Sequence, residues 1–417
     1  MRRRAKVLLV GEFGCGNYGN DASLLSVMRA LNAADPDLRI VVLARDAARV
    51  LSAPAFQELD FQAMDLAYRP IPGRLGQMVG RLTDPIRYLR HISGARAVLV
   101  PGMGVIEGEL GEHPFGVPYL LFVTAVLCCL ARAPLAFVAV GASPLRNPVS
   151  LKMAVPTARL VSYRSFRDSY SRACARDANL GRPRDRVTAD VALSLPIPSA
   201  SHLAVTGVGI GVMNFYGRHP EHAAVTPERA HETYVTKMVA LCRGIGGLGR
   251  RIVLFAGDDS DVPVARAIAD RLAFEPGMEV EVSAESDYVG IASAMRGLEL
   301  IIAARYHNLV AAVAAGRPLI AMTYAEKSSL LALRAGMTGR APDLDSWDVD
   351  ELVAHAAGLL DRADVIAERV SQTGRELLEQ STQELSEVAG LVVKSRSRKD
   401  WSRLGGEEEH RCAPAPS

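Results

Sequence analysis

The sequence predicts an α/β protein built as two Rossmann-like domains facing an interdomain cleft. Three observations carry that expectation. Short apolar runs alternate with helical stretches along most of the chain. The runs lack a clean every-second-residue alternation, as strands buried on both faces do. The alternation stops once, at "LSLPIPSASH", and then restarts. At 417 residues the chain also exceeds one ordinary core, which agrees with two domains.

Taken in order, candidate strands are 6–10, 39–44, 97–100, 135–140 and 160–163, with helices such as 22–32 and 119–131 between them. The Pro- and Ser-rich stretch 193–202 reads as a linker. Candidate strands then resume at 208–212, 252–256, 279–283, 300–303 and 319–323, and a helical region from 348 to about 393 closes the second half. The expected domains are 1–195 and 203–393. The stretch 394–417 has no periodicity and is expected to be disordered.

Composition narrows the function. The net charge of +2 gives no basis for bulk nucleic-acid binding. Hydrophobic content of 49% with 23% charged residues marks a globular chain. The six Cys form no CxxC pair and no Cys/His set with zinc spacing, so no metal is expected. The basic start "MRRRAKVLLVGEF" imitates a signal peptide, but its apolar run is cut short by Gly11 and Glu12. Residues 119–131 are the most lipid-like, yet Arg132 and Pro134 stop them short of the roughly 20 residues a span requires. No transmembrane segment is expected. The expected location is the cytoplasm, with peripheral contact at the inner membrane face through Arg2–Arg4 as the weaker option.

Two facing α/β domains put strand C-terminal ends on the walls of a cleft, where ligands bind. Four motifs fall at such ends. "GEFGCGNYGNDAS" follows the first strand: Gly14, Gly16 and Gly19 permit a tight turn, and Asn17, Asn20 and Asp21 supply polar groups and caps. Its GxGxxG spacing is a weak dinucleotide signal, since "RIVVLARD" brings no acidic residue in the usual place. "PGMG", with Gly102 and Gly104, follows another strand. Glu107, Glu109, Glu112 and His113 come next without fixed ligand spacing, and solvated loop charge is their better reading. "YRSFRDSYS" places Arg164, Arg167 and Asp168 after a strand. A guanidinium fork there fits carboxylate or phosphate, and a plain Arg/Asp ion pair fits equally. The fourth motif runs "LIIAARYHNLVAAVAAGRPLIAMTYAEK". Arg305 and His307 stand where a strand gives way to an Ala/Val-rich helix, whose N-terminus favours an anion. Lys327 follows the next strand, so the three converge by topology on one anion site. The chain holds only six Lys, which makes this one more informative.

These motifs together resemble the polysaccharide pyruvyl transferase family. The matching residues are Gly16-Asn17-Tyr18-Gly19, Pro101-Gly102-Met103-Gly104, Arg167-Asp168-Ser169-Tyr170-Ser171, Arg305-Tyr306-His307, Thr323-Tyr324 and Lys327, in the family's order. The family's usual Asp of the first loop falls on Asn20, with Asp21 next, so either Asp21 substitutes or the role is lost. Tyr306 replaces the commoner aliphatic residue. The resemblance implies a GT-B-like fold and phosphoenolpyruvate as donor substrate, with no cofactor. It implies a product carrying a pyruvate ketal on a sugar of a cell-surface polymer or its precursor. His307 would be the general acid, with Arg305 and Arg167 on the donor's anionic groups and Lys327 on the leaving phosphate. Asp21 or Asn17 would orient an acceptor hydroxyl, and Gly16, Gly19, Gly102, Gly104 and Tyr324 would shape the binding site.

Two other readings stay open. One is a GT-B glycosyltransferase using a nucleotide sugar, with Glu326 on the ribose. The other is a catalytically inactive binding protein of the same fold, which the Asn20 departure keeps alive. A NAD-dependent dehydrogenase lacks its ribose carboxylate.

Overall fold

The computed structural model describes residues 4–66, 73–106, 108, 113–198, 205–217, 225–323, 326–337, 341–395 and 400–401. The first sheet comprises β1 (Lys6–Val10), β2 (Arg39–Ala44), β3 (Phe61–Asp65), β4 (Ala95–Pro101), β5 (Gly104–Ile106), β6 (Leu135–Ala142), β7 (Tyr163–Phe166) and β8 (Arg186–Val187). Its order is β3-β2-β1-β4-β6-β7-β8, with β5 pairing with β6. The second comprises β9 (Val208–Gly211), β10 (Ile252–Phe255), β11 (Val280–Val282), β12 (Leu300–Ala303) and β13 (Leu319–Ala321), in the order β11-β10-β9-β12-β13. Every strand pair in both sheets is parallel, so all strand C-terminal ends of a sheet open on one edge.

The crossovers in the first half are α1 (Tyr18–Ala34), α2 (Ala47–Ser52), α3 (Gly73–Ile92), α4 (Val117–Leu130), α5 (Pro148–Leu160) and α6 (Ser169–Asp177). In the second half they are α7 (Pro227–Gly247), α8 (Val262–Leu272), α9 (Tyr288–Met295) and α10 (Tyr306–Ala314), while α11 (Glu326–Arg334), α12 (Val349–Leu360) and α13 (Ala363–Lys394) follow the last strand. Pleating divides each strand between two cores. Val7 and Leu9 of β1 join one cluster, while Leu8 and Val10 join another with α4.

The first of these clusters is shared by both halves. It holds residues of α1 and β2 together with residues of α9, α10, β12 and α13. The domains are therefore joined by a common apolar layer, and the open space lies where their strand ends meet.

Three expectations need correction or addition. The strand placed at 160–163 begins only at Tyr163. Residues up to Leu160 belong to α5, which Asn147 caps by accepting from the Val149 N–H at 2.9 Å. Arg164 is thus inside β7, buried by a bidentate pairing with Asp185, both contacts 2.9 Å. The apolar "ARLVSY" reads alike as helix end or strand, and only that pairing decides. Second, the sequence reading missed β3, β5 and β8. Third, the stretch expected to be disordered from 394 contains Lys394 as the end of α13 and a fully buried Trp401. The Trp401 indole donates to Ser395 Oγ at 2.9 Å and meets the Tyr163 ring edge-on. A large aromatic surface with a partner for its N–H recovers more by burial than a polar tail would. No helix among the described residues is long and apolar enough to cross a membrane.

Candidate active site between the two domains

The Gly-rich loop after β1 is shaped by its glycines and caps. Gly14 and Gly16 adopt φ of 71° and 94°, a region costly for side-chain-bearing residues. Asn17 caps α1, accepting from the Asn20 N–H at 3.1 Å. The loop then docks on the second domain: Asp259 N donates to Gly16 O at 3.0 Å and Tyr18 N to Gly257 O at 3.3 Å. A Cβ at Gly16 would stand 2.9 Å from Asp259. Gly16 is therefore a docking glycine.

Gly19 has a different task. A Cβ there would stand 2.0 Å from both Cγ and Nδ1 of His307. Position 19 in the first turn of α1 carries no side chain, and the His307 ring lies against it. His307 itself comes from the first turn of α10, whose N-cap Arg305 makes no side-chain cap. The start of α10 beside His307 therefore carries no side-chain cap, and a helix N-terminus favours an anion.

Arg167 follows β7 and is 4% exposed. Its Nη1 donates to Asp190 Oδ2 at 3.3 Å and to Gly102 O at 3.4 Å. Its Cζ lies 4.1 Å from the centroid of the Tyr306 ring, with Lys327 Nζ 5.9 Å from the same centroid. Gly141 makes room for this guanidinium, since a Cβ there would meet Nη2 at 2.5 Å. A register shift in β6 between Phe137 and Val140 brings Gly141 into line. Tyr306 is therefore the aromatic floor under two cations from different domains. Burial pushes its phenol well up.

Asp190 ties the two halves together. Its carboxylate receives Arg167 from the first domain and stands 3.5 Å from His307 Nε2 of the second. Burial alone would raise this carboxyl. The His307 imidazole and the Arg167 guanidinium, helped by the Ala192 N–H, outweigh burial and hold it below its ordinary value. The pairing keeps a negative charge against His307.

Arg305 is also anchored. It forms a bidentate pair with the fully buried Asp261, at 2.9 and 2.7 Å. Asp261 accepts in addition from Asn214 N at 2.8 Å and Gly257 N at 3.2 Å.

A cavity of about 210 Å³ collects these groups. Glu12, Asn17, Asn20, Gly104, Arg167, Arg305, Tyr306, His307 and Lys327 line it. A larger chamber of about 580 Å³ adjoins it through Arg167, Tyr306 and Lys327.

The sequence model of the polysaccharide pyruvyl transferase family matches residues 17–326. The chain belongs to that family. No curated protein matches it in sequence. Among solved structures, UDP-GlcNAc 2-epimerase from Neisseria meningitidis bound to UDP-GlcNAc is 12% identical at a TM-score of 0.60, covering 94% of this chain and 100% of that one. HepE from Anabaena in complex with UDP-glucose is 14% identical at 0.59, covering 93% and 99%. MurG from Acinetobacter baumannii is 13% identical at 0.54, covering 94% and 100%. These likenesses fix the GT-B fold.

Of the family-matching residues, Asn17, Gly104, Arg167, Arg305, His307 and Lys327 meet at the cavity, the last in the first turn of α11 and 5% exposed. Gly19 and Gly102 stand behind it, as backing for His307 and as carbonyl acceptor for Arg167. Asp21 does not join them. Its Oδ1 accepts from Gly14 N at 2.8 Å, and its side chain lines a separate cavity of about 330 Å³ with Arg49 and Tyr288. One residue further along α1 turns the side chain by about 100°, so Asp21 cannot replace a group at position 20. Tyr324, and with it Glu107, Glu109 and Glu112, lies outside the described residues.

The sequence reading missed Asp190, Gly141 and Glu12. Asp190 stands between a two-residue strand and a short 3-10 helix (Val191–Ser194) that it caps by accepting from the Ala192 N–H at 3.0 Å, with no spacing to mark it. Gly141 continues an apolar run. Glu12 was read only as the break in that first strand.

Proposed function

We propose that the chain transfers the pyruvyl group of phosphoenolpyruvate to two hydroxyls of a sugar, forming a pyruvate ketal and releasing phosphate. One observation carries the reading: Arg167, Arg305, His307 and Lys327 converge from both domains on a cavity of about 210 Å³. That is smaller than the about 300–1,000 Å³ usual for drug-sized ligands, and it suits a three-carbon acid with two anionic groups. Arg167, Arg305 and the first N–H groups of α10 would hold the carboxylate and phosphate. His307, kept in the field of Asp190, would deliver a proton to C3 of the enol, leaving C2 open to a hydroxyl. Lys327 would neutralise phosphate as it departs. Glycan precursors are the acceptor class that the family implies, and a cytoplasmic site of action fits a phosphoenolpyruvate donor.

Thermal shift tests this directly. Phosphoenolpyruvate at 100 times its Kd is expected to add about 2.7 kcal/mol of stability. Stabilisation by UDP-glucose with none by phosphoenolpyruvate would instead point to a nucleotide-sugar enzyme.

A further inference from the structure

Ketal closure takes protons from two acceptor hydroxyls, and the groups named so far supply only an acid. The structure leaves few carboxylates for the opposite task. Asp21 faces another cavity and holds the Gly14 N–H. Asp190 is spent between Arg167 and His307 and lines only the larger chamber. Asp168 caps α6 through the Ser171 N–H at 2.6 Å and lines only the larger chamber. Glu12 remains. Among the described residues lining the small cavity it is the sole carboxylate, beside Asn17, Asn20 and His307.

Its placement is built. Glu12 leaves the C-terminal end of β1, and its carbonyl accepts from Asn20 Nδ2 at 3.2 Å, tying the loop to α1. Arg45 Nη1 holds Oε2 at 2.9 Å. The Glu12 side chain is 21% exposed while that of Arg45 is 62% exposed, so the pair is solvent-screened and leaves the carboxylate at the cavity wall.

We propose that Glu12 is the proton acceptor for the attacking sugar hydroxyl, a catalytic residue opposite His307. The inference rests on the pyruvyl-transfer reading above. The first hydroxyl oxygen bonds to C2 as His307 protonates C3, and the hydroxyl proton passes to Glu12. The C2–O bond to phosphate then breaks, and phosphate leaves with that proton. The second hydroxyl closes the ketal at C2, and its proton restores the one His307 gave. Two hydroxyl protons thus end on C3 and on phosphate, and both side chains return to their starting state.

The test measures phosphate release from phosphoenolpyruvate, with methyl β-D-galactopyranoside and water as nucleophiles, in the full chain. Glu12→Gln is expected to lower turnover about 10²- to 10⁴-fold while the thermal shift with phosphoenolpyruvate is retained. Arg45→Ala, which removes only the outer partner, is expected to stay within about threefold of the unchanged protein. Adding Asn20→Asp to Glu12→Gln returns a carboxylate to the same cavity and is expected to recover about tenfold or more. Turnover by Glu12→Gln equal to that of the unchanged protein overturns the assignment. So does an equal loss in Arg45→Ala, which would make the residue a loop anchor, or a double variant no better than Glu12→Gln. An unchanged protein that releases no phosphate overturns the pyruvyl-transfer reading itself, and this inference with it.

Discussion

At the scale of single residues, the site is a set of charges each placed by another. Asp190 holds Arg167 and His307, Asp261 holds Arg305, and Tyr306 lies under Arg167 and Lys327. On the proposed reaction, His307→Ala is expected to lower phosphate release from phosphoenolpyruvate about 10²- to 10⁴-fold. Asp190→Asn keeps the shape and removes the charge that Arg167 and His307 share. It is expected to lower kcat with the circular dichroism unchanged. An unchanged kcat in Asp190→Asn would make that carboxylate a packing group only. Gly19→Ala separates packing from chemistry in the same way. Helix propensity alone favours Ala by about 1 kcal/mol, yet the added methyl collides with the His307 ring. The expected result is a folded protein with activity as low as His307→Ala, read by circular dichroism and phosphate release.

At the scale of elements, strand–helix junctions were legible and side-chain direction was not. Arg305 and His307 announce themselves because an apolar strand ends and an Ala-rich helix begins around them. The direction of Asp21 depends on the positive φ of Gly14 and on which side of α1 each position faces, and neither is written in composition. That direction has a consequence. Burial pushes the Asp21 carboxyl up to about 6 from an ordinary 3.8, against the opposing effects of the Gly14 N–H and Arg49. The folded state then binds its proton more tightly than the unfolded state. This stabilisation is full below the unfolded value and is lost as pH rises through about 6. Asp21→Asn is expected to remove this dependence and to gain up to about 3 kcal/mol at pH 7.5 relative to pH 4. Urea titrations of both proteins at the two pH values measure it. Equal slopes would show that Asp21 ionises without penalty in the fold.

At the scale of the molecule, two Rossmann-like halves could be read from the restart of the strand pattern after residue 195. The route of the last helix could not. Its periodicity predicts one buried face and is silent about which sheet that face meets. In fact α13 returns to the first domain. Glu384, fully buried, accepts from the Tyr163 hydroxyl at 2.9 Å and from Ser165, while Arg186 pairs with Glu387. Val388, Ala389, Val392 and Trp401 then join the apolar layer around α1. Trp401→Ala is expected to cost about 3–5 kcal/mol and to lower the Tm of the whole chain in one transition. Two separated transitions in calorimetry would show that the halves melt independently. The same strap orders events during synthesis. Domains commonly fold from the N-terminus as they emerge, but here the layer beside α1 is completed by residues made long after β1. The α1 face of the first half therefore gains its last apolar partners only once residues 388–401 have been made.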